Sequence, residues 1–126
     1  MSNLMTSILS ERERYRTLWN RTYAPLRRAL TGNWTVLPVE SHSGARFDSD
    51  GGFELRFLSS GLVLNGRYTV VAIEGVSYIV LDTNDGQPWV LRLEEIDAWR
   101  MKLRWVEPEG PAFAFSRRVP DQVMVA

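Results

Sequence analysis

The chain has no cysteine in its 126 residues, which removes disulfide staples, thiolate nucleophiles and zinc–sulfur centres together. It has little histidine: His42 alone, in the polar stretch Glu40-Ser41-His42-Ser43. As a general base it would need an orienting partner such as Glu40 or Asp48, and a solvated loop side chain is its ordinary reading. Net charge is absent too, with 15 basic residues against 15 acidic ones, so no overall field favours nucleic acid or membrane. There is no long hydrophobic run of membrane-spanning length. The opening MSNLMTSIL lacks a basic n-region and runs straight into ERERYR, a poor secretory signal. These absences lead to the expectation of a soluble, cytoplasmic protein. No phosphate-cradling loop and no nucleophile motif is present.

What remains is one domain's worth of chain, long enough to bury a core without staples. Charge is unevenly spread: residues 1–31 hold six arginines against two glutamates, and the remainder is acidic by the same margin. Ser10-Glu11-Arg12-Glu13 has the form of a capping box opening a helix. Tyr15, Leu18, Trp19 and Thr22 then fall on one helical face, which predicts packing against the rest of the protein through Tyr15, Leu18 and Trp19. Pro25 ends that helix or opens a short second one with Leu26, Ala29 and Leu30 on its apolar side. Residues 1–9 carry no packing signal and read as loose. Arg12, Arg14, Arg16 and Arg21 offer a basic helix face; the i, i+3 pairs Glu11–Arg14 and Glu13–Arg16 account for most of it as a solvated surface.

After Gly32 the pattern becomes short strands between turn residues. GNWTVLPVE is followed by a polar loop from Ser41 to Gly52, then GFELRFL, LVL, RYTVVAI, VSYIVLD, PWVLRLE, AWRMKLRWV and AFAFSRR. Asn65-Gly66 reads as a hairpin turn between LVL and RYTVVAI. Eight strands without a crossover helix predict an antiparallel sandwich or barrel, and closure would remove both edges. The expected organisation is a helical segment over 1–31, a barrel over 32–118 and a tail over 119–126.

The short helical turn, the Gly32-Asn33-Trp34 opening and the eight-strand meander resemble the lipocalin superfamily and its bacterial lipocalin-like relatives. FELRFLSSG, GRYTV and WVLRLEEIDAWRMKLRW extend the likeness, which covers about residues 30–118. The late Thr-Asp-Tyr turn of that superfamily has no counterpart here. The resemblance implies an eight-stranded antiparallel up-and-down barrel that binds a small lipophilic molecule. It also implies an arginine of the last strand, Arg117 or Arg118, lying across Trp34 beside Gly32 to close one end by a cation–π contact.

AWRMKLRWVE alternates Trp99, Met101, Leu103 and Trp105 with Arg100, Lys102 and Arg104, the period of a strand with one buried and one wet face. Eight strands of about six residues offer roughly 24 inward positions, and a barrel of this size is just wide enough for side chains to fill it. The many aromatics on the inward rows each hide about 150–250 Å². That predicts a mostly packed interior, with any pocket small and near the open mouth. A guest would be apolar or aromatic, held by Tyr68, Trp89, Trp99, Met101 and Trp105, although Trp89 and Trp99 fall toward opposite parts of their hairpin. The phase of VSYIV is ambiguous because both of its faces are apolar.

Two acidic groupings invite chemistry. Asp48-Ser49-Asp50-Gly51-Gly52 starts like a calcium loop but lacks the acidic ligand at its twelfth position, and a turn explains it. Glu94, Glu95 and Asp97 sit in an exposed turn, where offsetting Arg92, Arg100 and Lys102 is their ordinary role. No catalytic residue, metal or cofactor is expected. The leading expectation is a non-catalytic binder of a small lipophilic or aromatic molecule. One alternative is a protein-interaction or assembly module with a filled barrel, its partner meeting the N-terminal helix or the basic row Arg100-Lys102-Arg104. Another is a cyclase or isomerase working by substrate positioning alone. Homo-oligomerisation is left open.

Overall fold

The computed structural model describes residues 3–16, 24–37, 43–57, 60–83 and 86–117. Within them two helices, α1 (Asn3–Arg16) and α2 (Ala24–Leu30), precede eight strands. These are β1 (Gly32–Leu37), β2 (Gly44–Phe47), β3 (Gly52–Phe57), β4 (Leu62–Ile73), β5 (Val76–Thr83), β6 (Trp89–Ile96), β7 (Arg100–Glu107) and β8 (Ala112–Arg117). Each strand pairs antiparallel with the next, and β8 returns to β1 with Trp34 opposite Arg117 and Val36 opposite Phe115. The result is a closed up-and-down barrel in which every strand has two neighbours and no edge is left unpaired.

Period-two burial explains the closure. Phe53, Leu55 and Phe57 on β3 face inward and alternate with Glu54 and Arg56. On β7, Met101, Leu103 and Trp105 are 1%, 1% and 7% exposed. Their rows merge into one interior cluster with Trp34, Phe47, Tyr68 and Phe115. Glu54, Arg56, Arg92, Lys102 and Arg104 stay on the wet outer wall, where Glu54 bonds Arg56 at 3.1 Å and Arg46 at 3.4 Å.

Two sequence expectations about strands fail in compensating ways. The stretch expected as a polar loop contains β2, whose Ala45 and Phe47 are buried on either side of exposed Arg46. Asn65-Gly66 is no turn: β4 runs straight through it, Asn65 opposite Glu54, and Gly66 opposite both Phe53 and Thr83. Gly66 has φ +150, and a Cβ there would stand 2.1 Å from the Asp82 carbonyl oxygen. Glycine is needed because the neighbouring backbone comes too close for a side chain.

The N-terminal expectation also needs correction. Residues 3–9 are not loose but form the first two turns of α1, and Ser10 lies inside the helix instead of capping it. Leu4, Met5, Ile8 and Leu9 recur one turn apart and lie on the outer face of the barrel. There they meet Val71, Tyr78, Val80 and Val90 in a second cluster, with Ile8 fully buried. This resolves the phase of β5: Ile79 and Leu81 point in, while Tyr78 and Val80 point out under α1. Arg12 then pins the helix to the end of β5 through Asp82 at 2.6 Å. The Tyr15 side chain, Leu18, Trp19, Arg21 and the tail beyond Arg117 lie outside the described residues. No helix among the described residues is long and apolar enough to cross a membrane.

Candidate functional site

Strand direction alternates around the ring, so each residue's place along its strand sets its height. One end gathers the start of β1, the Phe47–Gly52, Ile73–Val76 and Ile96–Arg100 turns and the end of β8. This end is closed. Trp34 donates its indole N–H to the Leu30 carbonyl at 2.8 Å, and Leu30, fully buried, fills the space below it. The Arg117 guanidinium lies 4.2 Å from the Trp34 ring centroid. It also donates to the carbonyls of Ala29 (2.5 Å), Thr31 (2.8 Å) and Ala98 (2.9 Å). One side chain thus ties α2, β1 and the β6–β7 turn together. Gly32 leaves the room: a Cβ there would come 2.7 Å from an Arg117 nitrogen. Arg118 lies outside the described residues.

Tyr68 belongs to this closed half. Its ring meets Phe47 edge-on, centroids 5.0 Å apart. Burial pushes its phenol pKa up, only partly opposed by the Arg27 charge and the nearby Thr31 hydroxyl. It is therefore a neutral hydroxyl at ordinary pH and not a base. Met101 is also deep, opposite Ile96 and Phe115. Trp99 departs from the expected inward row. It sits in the β6–β7 turn outside the barrel and is 58% exposed. The alternation in the sequence begins ahead of β7, whose first residue is Arg100.

Of the five residues expected to hold a guest, only Trp89 and Trp105 come together, centroids 5.3 Å apart at 60°. They stand at the end opposite Trp34, Trp89 being the first residue of β6 and Trp105 near the end of β7. Two more rings join them. Phe113 meets Trp105 edge-on at 6.2 Å, and Phe57 meets Phe113 at 4.7 Å. The chain of four rings is sealed from below by Phe115, 6.3 Å from Phe57. Trp105 and Phe57 are nearly buried, whereas Trp89, Phe113 and Leu62 are only partly covered. The outcome is a shallow aromatic floor above a filled interior. Phe57 and Phe113 belong to this floor but not to the site expected from the sequence. The alternating strand direction was the signal that could have added them and removed Trp99.

The outer wall carries the charge chemistry. Glu94 accepts from Arg92 at 2.6 Å and Arg104 at 2.7 Å, with Lys102 3.8 Å away. Hydrogen bonds from Arg104 and Arg92 lower its pKa to about 2. Asp97 is lowered by the backbone N–H groups of Trp99 and Arg100, both at 2.8 Å. These carboxylates hold their charge at neutral pH and do not serve as general acids. Asp48 bonds Arg46 at 3.1 Å and Asp50 accepts from the Gly52 N–H at 3.0 Å, the contacts of a turn. Among the described residues no group of three or more His, Asp or Glu is placed to hold a metal. His42 lies outside them.

Comparisons of the chain with protein-family models, curated proteins and solved structures give no match.

Proposed function

We propose that the barrel is lipocalin-like and binds a small, flat apolar or aromatic molecule, without catalysis, on the ring floor formed by Trp89, Trp105, Phe113 and Phe57. The observation that carries this reading is the partial exposure of Trp89 and Phe113 at one end of a barrel whose other end is closed. Aromatic rings left half-covered beside one another form an apolar surface that a flat guest can share by stacking. Because the interior below is packed, the guest lies across the mouth instead of descending into a calyx. The arginine over Trp34 and the Gly-x-Trp opening of β1 support the lipocalin-like reading.

Native mass spectrometry of freshly purified protein tests this directly, together with thermal shifts against trans-retinol, palmitate and protoporphyrin. The expected result is a stoichiometric adduct or a saturable stabilisation by one of these probes. Trp89→Ala removes about 1–2 kcal/mol of stacking and weakens binding about 5- to 30-fold. No adduct and no shift with any probe would contradict the reading. The filled interior favours a second reading in that event, an interaction module that works through its outer surface.

A further inference from the structure

Trp99 is the most exposed large apolar side chain among the described residues, at 58%, yet its backbone is held by hydrogen bonds on both sides. Its N–H and that of Arg100 both donate to the Asp97 carboxylate at 2.8 Å. Its carbonyl accepts from the Arg117 N–H at 2.8 Å, the neighbouring Ala98 carbonyl accepts from the Arg117 guanidinium at 2.9 Å, and the turn is closed by Asp97 N–H to Arg100 O at 2.9 Å. An indole on a flexible tip would lose conformational freedom whenever something settled on it. Here the turn is already ordered, so that cost is small.

The surroundings are basic. Arg100 follows Trp99 and is exposed. Arg117 joins this turn to the C-terminal end of α2, where Arg28 is exposed next to Ala29. Asp97 in the turn is engaged by two backbone N–H groups, and exposed Glu95 at the end of β6 stands opposite Lys102. Tryptophan and arginine are among the residue types most enriched where binding energy concentrates in protein interfaces. A lipid surface fits less well. The other turns at this end of the barrel carry Asp48, Asp50 and Glu74, which an anionic bilayer laid flat against the end would repel. A narrow occupant can meet the basic side alone.

We infer that Trp99, Arg100 and Arg28 form a docking surface for an acidic protein segment carrying an apolar side chain that covers the indole. This surface is at the opposite end from the aromatic floor and does not depend on what that floor binds. Selection from a random dodecapeptide library displayed on phage, with Trp99→Ala protein as the counter-selection, tests it. The exposed position in a turn allows the variant to fold, which its circular dichroism checks. The expected result is enrichment of net-acidic peptides with a leucine or aromatic residue. A synthetic copy of the leading peptide should bind Trp99→Ala at least tenfold more weakly, lose affinity for Arg100→Glu, and weaken as salt is raised. Three results would each overturn the inference: no enrichment, enrichment of neutral or basic peptides, or equal binding to Trp99→Ala. Trp99-dependent co-sedimentation with phosphatidylserine vesicles without peptide binding would overturn it in favour of a lipid surface.

Discussion

Replacing Arg117 by alanine removes a side chain that joins three parts of the closed end. In the wild type its guanidinium donates to the Ala29, Thr31 and Ala98 carbonyls and lies 4.2 Å from the Trp34 ring centroid. Each charge-assisted bond at such a partly exposed site contributes about 1 kcal/mol net, and the ring contact about 0.5–1 kcal/mol. Water reaches part of the freed carbonyl surface and returns some of this, which leaves a loss of about 2–3 kcal/mol. For a chain of 126 residues that lowers Tm by about 6–15 °C. Arg117→Lys keeps the charge but not the planar fork, and one ammonium cannot serve three carbonyls in different directions. It should therefore show more than half the loss. Urea unfolding followed by tryptophan fluorescence measures both variants. An alanine variant within about 0.5 kcal/mol of wild type, the range of ordinary surface substitutions, would refute the argument, as would a lysine variant equal to wild type.

Two further outcomes follow from the outer wall. Glu94 is depressed from 4.5 to about 2, so its share of stability is fully present above about pH 4.5 and is lost as pH falls toward 2. Glu94→Gln should therefore lose less stability than wild type between about pH 5 and pH 2 in acid titrations of Tm; parallel curves would contradict the Arg92–Glu94–Arg104 bridge. Ile8→Ala empties a fully buried position under α1 and should cost about 2–4 kcal/mol. Hydrogen exchange should then speed up in α1 before it does in β7, and unchanged protection of α1 would argue against its docking on β4–β6.

Legibility varied with what the two-residue period can carry. It placed Met101, Leu103 and Trp105 inside because alternation specifies a face, but it said nothing about where β7 begins, and Trp99 fell in the turn that Asp97 holds. Turn chemistry misled at Asn65-Gly66, because glycine serves close backbone approach as well as reversal, and only the neighbouring strand shows which applies. The four-residue β2 was too short to stand out among serine, glycine and aspartate. The role of Leu4, Met5 and Ile8 did have a signal: VSYIV is apolar on both faces, and a strand buried on both faces needs a cover outside the barrel. The ring floor depends on heights along eight alternating strands, which emerge only once register is fixed. A resemblance to known barrels pointed to a last-strand arginine over Trp34, either Arg117 or Arg118, and the structure has Arg117 there; nothing local to either residue demands its partner.

In the function proposed, ligand binding belongs to the aromatic end of the barrel and not to the exposed indole at the closed end. Titration of whichever of trans-retinol, palmitate and protoporphyrin binds the wild type, read by tryptophan fluorescence, compares Trp89→Ala and Trp99→Ala with wild type. The expected result is saturable one-to-one binding that Trp89→Ala weakens and Trp99→Ala leaves intact. Binding that survives Trp89→Ala, or that vanishes with Trp99→Ala, would contradict it.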